Sequence, residues 1–289
     1  MHDFLRAIGF RNIKTEKDFN PILNDAAQDN DNREIVLKSD DCYVCRITKY
    51  YSEDAKIGLE IYGEYIEDDV FRMEYYHPFF NSDCVSAKEP VELQRHAATN
   101  SYAGICDDDR LDISIIFYLN EAGLNRKSLF DERRFEDKTI YFSALCKVGR
   151  VLLPVLPSLK GENSVVKDKV SKFCAEAEID SADFDEDMSD YIPDFLPDFE
   201  KRLKKDDVYT IVNTFLMPYG VETDQYMVLG EIDSVRTVKN NVSGENVYII
   251  RLTARKIQMD ICVNEGDVQG VPVPGRRFKG IIWLQGRIE

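Results

Sequence analysis

The chain has 289 residues, 44% of them apolar and 11% aromatic, which is the composition of a folded globular protein and excludes a wholly disordered one. Thirty-seven Lys and Arg against fifty-three Asp and Glu give a formal net charge of -16, a field that repels phosphate backbones and anionic bilayers and disfavours nonspecific attachment to either. Length alone accommodates one large core or two modest ones.

The first residues, MHDFLRAIGFRNIK, carry acid near the start and no apolar stretch ending in a small-residue cleavage site. They predict a short amphipathic helix over residues 2–8 and not a signal peptide. A second helix is expected over 16–28, followed by the acidic, Asn-rich loop DNDNRE. Strand signals begin at Cys42: CYVCRITKYY, KIGLEIYGEYI and DVFRMEYYHPFF are separated by short polar turns. In the second of these, Ile57, Leu59, Ile61, Gly63 and Tyr65 share one face and Glu60 and Glu64 the other. The period of two predicts a three-stranded antiparallel meander with one wet face.

Residues 80–110 are less regular, and EPVELQRHAATN reads as a helix within them. Two strands follow. Ile113, Ile115, Phe117 and Leu119 align in the first, and Ile140, Phe142, Ala144 and Cys146 in the second. Val148-Gly149-Arg150 reads as a turn into VLLPVLP, where Pro154 marks an edge or an irregular end. A helical pattern over 162–178 leads into the strongest charge block: residues 176–200 hold eleven acids and no Lys or Arg. The expected division is an α+β domain over 1–175, an acidic Pro-containing connector over 176–207, and a small β domain over 208–289. The last part has nine acidic and nine basic residues, so all the net acidity lies upstream.

Four strand-bearing runs fill that last part. In NVYIIRLTARKIQMDICVN, Tyr248, Ile250, Leu252 and Ala254 share one parity, and Ile257, Met259, Ile261 and Val263 the other. The change of phase requires a bulge or tight turn at Arg255-Lys256. Bent strands with Gly-rich turns predict a small barrel of oligonucleotide/oligosaccharide-binding (OB) type, or else a plain antiparallel sheet. The overall class is therefore α+β: a mainly antiparallel sheet with helices, then an OB-like barrel or sheet.

The closing GVPVPGRRFKGIIWLQGRIE holds the only tryptophan. Phe278, Gly280, Ile282, Leu284, Gly286 and Ile288 form its inward face, where the glycines allow curvature or close approach. Ile281 and Trp283 lie on the opposite face among Lys279, Gln285 and Arg287. They either pack against the first domain or a second subunit, or grip a ligand. Arg276 and Arg277 either fork around a carboxylate or phosphate or pair with the acidic segment before Lys201. The candidate binding residues are thus Arg276, Arg277, Lys279, Trp283, Gln285 and Arg287. The expected partner is a protein or a small polar ligand, and a homodimer through this face stays open.

Catalytic chemistry has few carriers. CYVC at 42–45 spells CxxC, but a strand points its two thiols to opposite faces, whereas a redox pair needs a helix start. The sequence contains no HExxH, GxSxG, GxGxxG or Walker A loop. No catalytic residue, metal ligand set or cofactor is assigned. A hydrolase would need Asp107, Asp108, His77, His96 or Cys84 to converge in one pocket. Single-stranded nucleic-acid binding through the barrel is the other alternative to a noncatalytic binding or scaffolding role; the overall charge and a lone tryptophan weigh against it. The longest strongly apolar run, VLLPVL at 151–156, is too short to cross a bilayer. Seven cysteines, an odd number without staple-like spacing, fit a reducing cytoplasm.

Taken together, HDFLRAIGF, YYHPFF and GRRFKGIIWLQGRIE make the chain resemble, over its whole length, a family of similarly sized bacterial proteins from gut Clostridia. The resemblance implies a bacterial cytoplasmic protein. It brings no activity, cofactor or site residue with it.

Overall fold

The computed structural model describes residues 2–28, 32–39, 42–66, 70–95, 101–108, 113–120, 134–136, 138–154 and 214–289. The expected helix at 162–178 and the acidic connector at 176–207 lie outside them.

The chain opens with a 3-10 helix, Asp3–Ile8, whose first turn is capped by the His2 side chain and whose end turns through Gly9. Helix α1, Glu16–Ala27, starts at the N-cap Thr15, whose hydroxyl accepts from the Asp18 amide, the usual way to satisfy an orphan N–H. A four-stranded antiparallel meander follows in the order β1 (Arg33–Ser39), β2 (Cys42–Ser52), β3 (Ile57–Ile66), β4 (Val70–Phe80). The sequence pattern missed β1, because its polar first residues read on from DNDN.

The meander has no simple wet face. Ile57, Leu59 and Ile61 are buried as expected, but so are Glu60, Glu64 and Tyr62 behind them. Part of the cause is in β4, where the register shifts opposite Tyr62/Gly63. The bulge puts Phe71 with the helix-facing core while Tyr75 and His77 stack over Tyr62 on the other side.

The second sheet contains β5 (Ala87–Lys88), β6 (Val91–Arg95), β7 (Tyr102–Asp108), β8 (Ile113–Leu119), β9 (Arg134–Phe135), β10 (Thr139–Leu152), β11 (Phe215–Pro218), β12 (Gln225–Lys239), β13 (Asn246–Ala254), β14 (Ile257–Asn264), β15 (Val268–Gln269) and β16 (Arg277–Ile288). Two local expectations are corrected here. Residues 91–95 form a strand and not a helix, because Val91 and Leu93 alternate with exposed neighbours. Val148-Gly149-Arg150 is not a turn: β10 runs through it, with one irregularity between Cys146 and Val148. Gly149 is there for space. A Cβ on it would meet the Phe278 ring at 2.3 Å.

Five strands close on themselves. The meander β12–β13–β14 is joined by β10, parallel to β14, then by β16, antiparallel to β10, which pairs back onto β12. This is the OB arrangement, with β12, β13, β14 and β16 in the places of strands one to four. The fifth place is filled by β10, from far earlier in the chain, so the order is circularly permuted. At the corner where strands four and five would connect, Thr139 and Glu289 exchange two backbone hydrogen bonds of 3.0 Å. Within the barrel long β12 serves two neighbours, its first half pairing with β16 and its second with β13, while β11 adds to its first half from outside. The hairpin at Arg255-Lys256 is a tight turn with positive φ at both residues, as the phase change requires.

The parities read from sequence hold inside the barrel. Ile140, Phe142, Ala144, Ile250, Leu252, Met259, Ile261, Phe278, Ile282 and Leu284 fill one core. Gly286 makes room in it for Phe117 of β8, which a Cβ would meet at 2.7 Å. A second core lies outside the barrel wall. There Leu145, Val247, Ile249, Cys262 and Trp283 pack under Phe4, Leu5, Ile8, Phe10, Phe19 and Leu23 and under the inner face of the meander. This packing is clasped by Asp267, which accepts from Arg6 at 2.5 and 2.8 Å and from Arg11 at 2.8 Å.

Candidate functional site

OB barrels bind ligands on the face of their second and third strands and with the loops after strands one and four. Here most of that surface is covered. Val247, Ile249 and Cys262 of β13 and β14 lie under the N-terminal helices. The loop after β12 is plugged as well: Asn240 donates to the Ile8 carbonyl at 2.8 Å, and Glu245 accepts the Arg11 and Asn12 amides at 3.0 Å. Among the described residues part of the face stays open, at a cleft of about 420 Å³.

Its floor is Ser234 and Arg236 of β12, Ile249 and Arg251 of β13, and Asp260 of β14. Its roof is Asp54 and Lys56 from the β2–β3 turn and Asn81, Ser82 and Asp83 from the segment leaving β4. Asp260, 7% exposed at its side chain, accepts both prongs of the Arg251 guanidinium at 2.8 and 3.0 Å and the Ser82 hydroxyl at 2.8 Å. This hydrogen bonding raises the pKa of Arg251. Arg236 donates to the Asp54 carbonyl at 3.3 Å. Lys56 donates to Asp83 at 2.6 Å, which lowers the pKa of that carboxyl, and Arg287 stands 3.5 Å from the same carboxylate. Lys56, Arg236 and Arg251 thus face Asp54, Asp83 and Asp260 across one polar cavity. Sequence reading missed all six, because five separate segments supply them and none forms a local motif.

The tail residues are spread among different surroundings. Trp283 is 6% exposed; its Nε1 donates to Asp224 at 2.7 Å, and its ring meets His2 and Tyr118 at 5.0 Å and Phe4 at 5.6 Å. Gln285 is wholly buried, accepting the Phe80 amide and donating to the Pro78 carbonyl, both at 3.0 Å. Arg277 is buried and donates to the Leu153 carbonyl, while Arg276 donates to the Val271 carbonyl. Lys279 is half-buried. Arg287 lies over the Tyr141 ring at 3.9 Å and reaches the first cleft through Asp83. Of the six, Trp283 alone lines a second, more open cleft of about 380 Å³, with His2, Phe4, Tyr118, Lys147 and Asp224.

Behind that second cleft His77 is completely enclosed. The Tyr118 hydroxyl is 3.4 Å from its Nδ1, and Glu60 is 3.5 Å from its Nε2. Burial, helped by the charge of Arg46, lowers its pKa to about 3, so its ring is neutral. Burial and the neighbouring His77 take His2 down to about 4.

The residues a hydrolase would need have separate partners. Asp107 is exposed and accepts from Ser114, Cys84 contacts Gln258, and His77 sits on Tyr118. His96 and the Asp108 side chain lie outside the described residues. Cys45, Cys84, Cys106, Cys146 and Cys262 are buried free thiols, and burial pushes Cys146 up to about 12. Among the described residues no group of three or more His, Cys, Asp or Glu is arranged to hold a metal ion, and no helix is long and apolar enough to cross a membrane.

No curated protein and no solved structure matches the chain. Residues 5–286 match the family described as "Domain of unknown function, E. rectale Gene description (DUF3881)". With nearly every residue inside that match, the chain belongs to this family.

Proposed function

We propose that the chain is a noncatalytic binding protein whose barrel takes a phosphate-bearing ligand about one or two nucleotides long, a free nucleotide or part of a short single strand. The observation that carries this reading is the position of the first cleft. Among the described residues it is an uncovered part of the β12–β14 face, and Lys56, Arg236 and Arg251 line it. Its volume of about 420 Å³ falls in the range of roughly 300–1,000 Å³ usual for small-ligand sites. The roof and the plugged loop oppose a long strand, as does the net charge of -16.

Titration of a labelled single-stranded tetranucleotide by fluorescence anisotropy, with a nucleoside monophosphate as competitor, tests the reading. Two or three phosphate contacts predict about tenfold weaker binding on going from about 50 to 200 mM salt, and Arg236→Ala should abolish binding. No binding at low salt, or binding indifferent to Arg236, refutes it. Competition by the monophosphate identifies a free nucleotide as sufficient.

A second reading places a protein partner or small polar ligand at the outer face of β16, gripped by Trp283, while Arg276, Arg277, Lys279, Gln285 and Arg287 lie outside the lining of the second cleft. The cleft walled by Trp283 supports it. The only tryptophan reports on it directly: a ligand that shifts Trp283 emission belongs there, and one that binds without a shift belongs to the first cleft.

A further inference from the structure

In the lining of the first cleft three basic side chains are balanced by three acidic ones. The three acids are not equivalent. Asp260 is buried and committed to Arg251 and Ser82. Asp54 offers Arg236 its backbone carbonyl. Asp83 is different: its side chain is 66% exposed, it sits on Lys56 at 2.6 Å, and Arg287 is 3.5 Å away. Arg236 also contributes to the field that lowers its pKa. A single exposed carboxylate therefore lies among Lys56, Arg287 and Arg236.

The lysine beneath it has an unusual backbone. Lys56 has φ of 53°, a left-handed conformation that glycine or asparagine adopts at less cost. Its ion pair with Asp83 is exposed at both ends, 44% and 66%, and pairs of that kind add little stability. The strain and the pair roughly offset each other, so fold stability does not account for a lysine in this turn. Strained residues of this sort are found at ligand clamps.

We infer that Asp83 is a displaceable internal anion, holding the place that the ligand's phosphate takes against Lys56, Arg236 and Arg287. This rests on the nucleotide reading of the cleft. Entry of a phosphate is an exchange: one carboxylate swings into solvent as one phosphate arrives, and the cleft stays nearly neutral throughout. The exchange keeps affinity modest and rejects neutral ligands, which cannot compensate the cations that Asp83 would leave.

The test is calorimetric titration of adenosine 5′-monophosphate, and separately of inorganic phosphate, into wild type, Asp83→Asn and Lys56→Gly, with thermal melts alongside. Asp83→Asn, which keeps the shape and removes the competing charge, should bind both probes about tenfold more tightly. Lys56→Gly should melt no lower than wild type, since glycine relieves the turn, yet bind at least about tenfold more weakly. Wild-type binding with no gain in Asp83→Asn overturns the exchange and leaves the nucleotide reading standing. An unchanged affinity in a folded Lys56→Gly also overturns it. If no protein binds either probe, both readings fall. Tight binding of phosphate alone, with no further gain from the nucleoside, assigns the site to free phosphate.

Discussion

Stability in acid should depend on His77 more than on any other described histidine. The ring is enclosed by Glu60 and Tyr62 of β3, Tyr75 of β4, Tyr118 of β8 and Trp283 of β16, with the charge of Arg46 nearby and His2 beyond. Its pKa falls from 6.5 to about 3, first through burial and then through Arg46. In the unfolded chain the imidazole regains an ordinary pKa near 6.5. The unfolded state therefore binds the extra proton between these two values. The stabilisation is fully present above pH 6.5 and is lost progressively as pH falls toward 3. At about pH 5 the unfolded state gains a factor of about thirty, or about 2 kcal/mol.

His77→Gln keeps a polar side chain and removes this titration. Urea unfolding of both proteins at about pH 7.5 and about pH 5, extrapolated linearly, reads the effect of His77 together with its coupling to His2. Wild type should lose about 2 kcal/mol more than His77→Gln over that interval. Parallel losses would refute a neutral buried His77. So would an imidazole that titrates above pH 6 in the folded protein by NMR.

Two further outcomes follow from packing. Asp267→Ala removes the acceptor shared by Arg6 and Arg11; because both guanidinium groups are about 40% exposed and rehydrate, the cost should be about 1–2 kcal/mol. A melting temperature unchanged to within about one degree would show that the clasp contributes nothing. Gly149→Ala drives a methyl into the Phe278 ring and should cost about 1–3 kcal/mol. The same change should cost less in a Phe278→Leu background; an equal cost in both backgrounds would place the strain elsewhere.

The sequence by itself determined what depends on alternation along one strand. The inward set Phe278, Ile282, Leu284 and Ile288, the matching sets on β10, β13 and β14, and the tight turn at Arg255-Lys256 all follow from a period of two broken once. Capping also acts locally, so Thr15 and Asp18 mark the start of α1 from their own residues. The OB-like class was legible for the same reason. Tertiary structure decided everything that depends on which strand lies beside which. No pattern within residues 139–152 says that this strand closes a barrel whose other members come after residue 214, because pairing partners are chosen by surface and register across long separations. The bulge in β4 turned His77 away from Phe71, and a single unpaired residue of that kind leaves no hydrophobic signal. Trp283 and Gln285 read as one outer face, yet the barrel packs its outer wall under another layer, and that layer is out of view in a one-dimensional pattern. The first cleft is the extreme case. Lys56, Asp83, Arg236, Arg251 and Asp260 come from the meander, its exit and three barrel strands, and only the closure of the barrel against the meander brings their charges within reach of one another.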